Sequence, residues 1–336
     1  MTLPKTFPTT GRWTAVALVL LPCVARAVPD TQVHYVMGTY LRITADGAGA
    51  AAGMQACFQE VRRLDDVFSR WTTISELSRL NAAAPGERAV SADMAELLRR
   101  SLELSDATGG AFDVAVGPLT ALWRRPEPPR ADEIAVARAD ATRDAVRIRG
   151  DRVTLASGAR LDFDGIAKGF AVDACVARLR AAGVESALVS LGESSLYAIG
   201  APAGDAYWRF AVRGADPETT VGTLGLRDIG ASVSATFGID GKAARRVAHI
   251  IDPRSGRPLE DDAVAVVASP FATDAEAFTK AVLVWGHDGV QRARARGAAA
   301  AIRVTPGAIQ ADVGAPVVWK PLPAPRTLAA REEPLR

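Results

Sequence analysis

The sequence predicts an α+β fold with a largely antiparallel sheet core flanked by helices. Three observations carry that prediction. Apolar runs of strand length recur along the chain, and several are joined by tight turns such as "RGDR" and "ASGA". Four stretches have helical periodicity. Hairpins and helices are interleaved, which favours an antiparallel sheet over a doubly wound one, and no internal repeat competes with this reading.

The first 27 residues read as an export signal. Lys5 and Arg12 precede the apolar run "WTAVALVLLPCV", and "ARA" at 25–27 offers a small-x-small cleavage site after Ala27. The run is too short to span about 30 Å of hydrocarbon. Cys23 after "LLP" leaves lipid anchoring as a weaker alternative, because Pro22 stands where such signals want a small residue. One domain is expected over 28–318, followed by a flexible proline-rich tail over 319–336.

Within the domain, "VHYVMGTYLRIT" reads as a first β-like run. Cys57, Val61, Leu64 and Phe68 recur on one face and predict a helix over about 50–68. Met94, Leu97, Leu98 and Leu102 predict a second, opened by Ser91 as N-cap and closed by Gly109 and Gly110. "RRPEPPRADE" at 124–133 reads as an exposed connection. Further strands are expected at "AVRIRGDRVTLA", "ARLDF", "SALVSLG", "SLYAIG", "WRFAVRG" and "AVAVVAS". A third helix is expected from Lys168 to Ala182, stopped by Gly183, and a fourth within "FATDAEAFTKAVLVWG", 271–286.

Composition excludes some functions. Of 40 basic side chains, Lys5, Arg12 and Arg26 lie in the signal, leaving 37 against 38 acidic ones and a formal charge of −1 for the mature chain. No electrostatic grip on nucleic acid is implied. With only His34, His249 and His287, a zinc cluster is not expected. Cys57 and Cys175 fall at apolar helical positions, where two buried thiols are favoured over a disulfide.

The following stretches could carry chemistry. In "LDFDGIAKGFAVD", 161–173, a strand is expected to end at Phe163. An Asp-Gly turn and a helix start near Lys168 then follow, suited to an anion, with Lys168 as a point charge toward phosphate. A plain corner with a surface lysine is the alternative, and the Walker spacing is absent. In "GGAFDVAVGPLTALW", 109–123, Asp113 could accept from a heterocycle or cap its own turn. In "HIIDPRSGRPL", 249–259, His249 could be structural or a base near neutrality. Met37 in "VMGTY" and Trp71 in "FSRWTTISELSRLN" could wall a flat aromatic ligand or simply fill a core. The fourth predicted helix puts Glu276, Thr279 and Lys280 on one face, as a salt bridge or as a metal site with an ammonium among its ligands. The chain has five lysines, and Lys168 and Lys280 both fall inside these stretches, a weak hint that their small heads matter.

Together and in this order, these stretches resemble the ApbE-type flavin transferases (FAD:protein FMN transferases) from about Met37 to Gly286. The resemblance implies an exported or membrane-anchored protein, here periplasmic and with possible attachment to the inner membrane. It implies FAD as substrate and Mg2+ as the ion assisting cleavage of its pyrophosphate. FMN would pass to a Thr or Ser of an exported or membrane-bound redox protein carrying an acceptor motif of the type Asp-x-Ser/Thr-Gly-Ala-Ser/Thr, with release of AMP. By family position, Met37, Trp71, Ala111, Phe112, Asp113, Asp162, Lys168 and Ile251 would line the FAD pocket. His249 would be the base, and the main-chain carbonyl of Gly165, Glu276 and Thr279 would hold the metal.

Three residues depart from the family's pattern. Glu276 takes the position of an Asp, one methylene longer but with the same charge. Lys280 replaces a preferred threonine, donates without accepting, and competes with a metal for Glu276. Glu193 in "LGES" replaces a glycine that would permit unusual backbone angles. Three readings follow. The first is an active transferase with its metal on Glu276, Thr279 and Gly165 and Lys280 turned to phosphate. In the second, the enzyme uses the Lys280 ammonium partly in place of the metal. The third is a non-catalytic or metal-independent FAD-binding homologue that has lost the magnesium site.

Overall fold

The computed structural model describes residues 29–83, 85–216, 218–237 and 250–322. The expected signal, Cys23, His249 and residues 323–336 of the expected tail lie outside the described residues.

The chain opens with the hairpin β1 (Asp30–Val36) and β2 (Thr39–Asp46), then α1 (Ala50–Phe68) and α2 (Glu76–Ala82). Next come β3 (Gly86–Ala89), α3 (Ala92–Thr108), α4 (Gly117–Trp123) and α5 (Ala131–Asp140). The hairpin β4 (Val146–Arg149) and β5 (Arg152–Leu155) leads to α6 (Ala167–Ala181). Five strands follow: β6 (Ser186–Leu191), β7 (Ser195–Ile199), β8 (Trp208–Arg213), β9 (Thr220–Leu226) and β10 (Ile229–Ala235). The two-residue strands β11 (Ile251–Asp252) and β12 (Arg257–Pro258) precede β13 (Val264–Ser269) and α7 (Ala272–Trp285). The chain then forms α8 (Gly289–Ala295), β14 (Ala300–Thr305), β15 (Ala308–Val313) and β16 (Val318–Pro321).

Eight strands form the central sheet in the order β1-β2-β6-β7-β10-β13-β14-β15, each pair antiparallel, as expected. Helices α1, α6 and α7 pack together on one face. The second face meets the small sheet β16-β9-β8, whose Leu224 and Leu226 share a core with Val264, Val266 and Ile302. Strand β13 shows the consequence of two covers. All six of its residues are buried, because Ala265 and Val267 point into the helical core while Val264 and Val266 point into the other.

All four expected helices form. Ser91 caps α3 by accepting from the Met94 N–H, and Gly109 ends it in the left-handed region at φ 59°. Three expectations are corrected. "ARLDF" is not a strand of a sheet: Arg160 makes an isolated bridge to Val116, and the Asn81 side chain bonds both the N–H and the carbonyl of Leu161, each at 2.8 Å. A side chain thus satisfies the backbone where a neighbouring strand would have done so. Cys57 and Cys175 are buried as expected, but they form a disulfide between α1 and α6 rather than two thiols. Finally, β16 carries regular structure past residue 318 into the expected tail. It pairs with β9, where Gly222 leaves the space that the Trp319 ring occupies.

Among the described residues, no helix is long and apolar enough to cross a membrane.

Candidate functional site

The site is built where α6 meets α7. Phe271, the N-cap residue of α7, supplies no side-chain cap. Asp173 of α6 does the capping instead: it accepts from the N–H groups of Ala272 at 2.8 Å and Thr273 at 2.9 Å, and from the Thr273 hydroxyl at 2.6 Å. Burial still raises its carboxyl to about 6. Two glycines let the elements approach. A Cβ at Gly169 would lie 2.4 Å from the Ala272 carbonyl oxygen, and one at Gly230 would lie 2.5 Å from the Ala272 nitrogen. Asp274 is fixed from the other side, because Arg100 of α3 donates to its two oxygens at 2.8 and 2.5 Å.

That anchoring sets the next turn of α7. Glu276 is fully buried, and its carboxylate is engaged on both oxygens. Oε2 accepts from the Gly169 N–H at 2.6 Å. Oε1 accepts from the Lys168 ammonium at 2.8 Å and from the Lys280 ammonium at 3.5 Å. Burial alone would raise the Glu276 carboxyl, but the two ammonium charges and the N–H hold it below its ordinary value. Burial pulls Lys168 down, yet Glu276 outweighs that and leaves it raised. Lys280 has a longer contact and the like charge of Lys168 beside it, so burial prevails and lowers it to about 8.

The fully buried Thr279 hydroxyl donates to the Glu276 carbonyl at 2.7 Å and shares a 2.8 Å hydrogen bond with Ser234 of β10. Gly165 borders the Lys280 stem: a Cβ there would lie 3.6 Å from Lys280 Cε and 3.5 Å from the Phe112 ring. The three expected metal ligands therefore lie around Lys280, but as arranged they do not fit a divalent cation. The carboxylate is neutralised by two ammonium groups and the hydroxyl is committed to protein partners. Among the described residues, no group of three or more His, Cys, Asp or Glu side chains could hold a metal ion.

A second group lies beside the first. Asp162 accepts from the Thr120 hydroxyl at 2.8 Å, Arg124 at 3.0 Å and the Asp164 N–H at 2.9 Å. Arg70 donates to Asp164 at 2.6 Å and lies over the Trp71 ring, 3.8 Å from its centre. Lys168 also donates to the Asp164 carbonyl at 3.4 Å, which connects the two groups. Trp71 is 77% exposed, so it is not a core residue.

The remaining expected residues are distributed around this pair of groups. Ala111 and Phe112 are buried, and Phe112 faces Gly165. Asp113 accepts from the Ala115 N–H at 2.9 Å, the local capping alternative, and burial raises its carboxyl. Met37 occupies the β1–β2 turn at φ 52°, and its N–H donates to Asp65 at 3.0 Å. Ile251 begins the β11–β12 hairpin, which Trp123 holds by donating to the Gly256 carbonyl at 2.8 Å. Glu193 adopts φ 54°, a left-handed backbone conformation that residues other than glycine rarely take.

Sequence reasoning missed Asp173, Asp164, Arg70 and Ser234. The first three sit inside motifs already singled out, and being the one acid of α6 was a usable signal for Asp173. Ser234 comes from a strand with no local mark.

The profile of the ApbE family matches residues 37–302. The chain is 32% identical to the FAD:protein FMN transferase of Treponema pallidum, over 79% of this chain and 81% of that one. It is 30% identical to the FAD:protein FMN transferase of Salmonella typhimurium, over 82% and 86%. Its fold superposes on the apo crystal structure of the Pseudomonas stutzeri flavinyl transferase ApbE with a TM-score of 0.73 at 27% identity, covering 88% of this chain and 94% of that one.

Proposed function

The chain belongs to the ApbE family, and from that premise we propose that it is a FAD:protein FMN transferase. The observation that carries the reading is the convergence of Lys168 and Lys280 on buried Glu276, beside the group that contains Asp162 and Trp71. A site for FAD needs positive charge at the diphosphate and an accessible flat surface, and these two groups supply them side by side.

In the proposed reaction, the hydroxyl oxygen of an acceptor Thr or Ser attacks the FMN-side phosphorus of FAD. A new P–O ester bond forms and the bond from that phosphorus to the bridging oxygen breaks. AMP leaves with the bridging oxygen, and the hydroxyl proton passes to a base, proposed to be His249. Lys168 and Lys280 offset charge on the phosphate oxygens as it redistributes, and Trp71 and Phe112 border the ring systems. Magnesium, implied by the resemblance, would have to displace both ammonium groups from Glu276, so no step is assigned to it. The acceptor is proposed to be an exported or membrane-bound redox protein with the Asp-x-Ser/Thr-Gly-Ala-Ser/Thr type of motif. The working form is proposed to be periplasmic, with residues 1–27 removed.

Incubating the purified protein with FAD and a peptide bearing the motif should add the mass of FMN to the peptide and release AMP. Absence of both products, with and without magnesium, removes the reading. The engagement of Glu276 by two lysines favours one other reading, a FAD-binding homologue without turnover, which the same assay reports as bound but intact FAD.

A further inference from the structure

We infer that the Lys168–Glu276–Lys280 cluster binds the diphosphate of FAD without a divalent cation, with the Lys280 ammonium taking over the charge that a metal would carry. The inference rests on the FAD-binding reading above. Three features support it. The first is the charge balance at the site. Two ammonium groups and one carboxylate leave a net positive charge that faces an anion, whereas a divalent cation added here would meet two cations at close range.

The second is the division of exposure. Glu276 has no exposed surface, but the side chains of Lys168 and Lys280 are 25% and 15% exposed. The exposed surface of the cluster therefore belongs to the two lysine side chains and not to the carboxylate. Glu276 acts as an internal counter-ion that holds both heads in place, itself held by the Gly169 N–H. The third is donor capacity. Each ammonium has three donors, and the contacts to Glu276 and to the Asp164 carbonyl leave others for phosphate oxygens. The Lys280 stem also passes Gly165, where a Cβ would lie 3.6 Å from Lys280 Cε.

Flavin fluorescence measures FAD binding to the full chain in EDTA or in magnesium chloride, with riboflavin, which lacks the diphosphate, as the control ligand. The wild-type protein should bind FAD equally well in both conditions. Lys280→Met should weaken FAD binding about ten- to hundredfold, the range expected for a lost charge-assisted hydrogen bond, and leave riboflavin binding unchanged. Lys280→Arg, which keeps the charge, should retain most of the affinity in EDTA. Loss of wild-type FAD binding in EDTA overturns the inference without reference to any variant, and so does a Lys280→Met protein that binds FAD like the wild type. An FMN–peptide adduct that forms only with magnesium overturns the inference while upholding the transferase. Metal-independent FAD binding without any adduct upholds the inference while removing the transferase.

Discussion

Helix α7 carries two carboxylates two positions apart, and the protein treats them in opposite ways. Asp274 is gripped by the forked guanidinium of Arg100, which matches both oxygens and fixes their plane. Glu276 is met by two ammonium groups on a single oxygen, at 2.8 and 3.5 Å. A fork uses its donors on its partner, whereas an ammonium keeps some for others. The first turn of α7 is thus an anchor and the next turn the proposed receptor. In a chain with 40 basic residues but only five lysines, two lysines meeting on one oxygen mark the receptor. The anchor must hold before the receptor can be aimed, and the two should separate under mutation.

The largest effect is expected at the receptor. Glu276→Gln leaves two partly buried ammonium groups without the carboxylate that both of them contact. It should destabilise the fold by about 3–5 kcal/mol, the usual cost of stranding a buried charge, measured by denaturant unfolding. Adding Lys280→Met to that variant should recover part of the loss. An unchanged unfolding midpoint in Glu276→Gln would mean that the carboxylate is not the counter-ion described here.

The anchor should show a pH signature instead. Asp173 is raised by burial from 3.8 to about 6, so the folded chain holds a proton that the unfolded chain has released. Its contribution to stability is fully present below about pH 4 and is lost as pH rises through 6, by at most about 3 kcal/mol. Asp173→Asn should flatten that part of the stability–pH curve. If the slope between pH 4 and 7 is unaltered, Asp173 is not the buried cap of α7.

Much of this division could be read from the sequence, and the reason is local chemistry. The 3.6-residue periodicity and the Ser91 and Gly109 caps located the helices, because both are written in neighbouring residues. Glu276, Thr279 and Lys280 were on one helical face for the same reason. What escaped depends on contacts between distant segments. Asn81 replaces a strand partner for Leu161, Asp173 caps a helix 99 residues away, and Cys57 meets Cys175 across a separation of 118. No periodicity encodes such pairings. The neutralisation of Glu276 was half legible: Lys280 was a visible competitor at i+4, but the role of Lys168 depended on the close packing of α6 against α7 at Gly169.

A smaller effect is expected where the anchor loses only its fork. Arg100→Lys keeps the charge beside Asp274 but gives up the paired geometry, on a side chain that is 41% exposed. The cost should be about 1 kcal/mol in denaturant unfolding, with FAD affinity unchanged. A loss of FAD affinity as large as that expected for Lys280→Met would erase the separation of anchor and receptor.

The smallest effect on stability is expected at Trp71, which tests whether the receptor extends beyond the lysines. Trp71 is 77% exposed, with Arg70 over its ring, so the fold gains little from it. Trp71→Ala should therefore shift stability by no more than about 0.5 kcal/mol. A bound ring system, by contrast, would stack on that exposed face, and such stacking contributes about 0.5–1.5 kcal/mol. Affinity for riboflavin and for FAD should thus fall together in Trp71→Ala, whereas Lys280→Met weakens FAD alone. The two variants divide the ligand between them: one reports on the ring and the other on the diphosphate. If Trp71→Ala lowered FAD affinity but spared riboflavin, the ring meeting Trp71 would be adenine, and the flavin would have to lie at the opposite end of the lysine cluster.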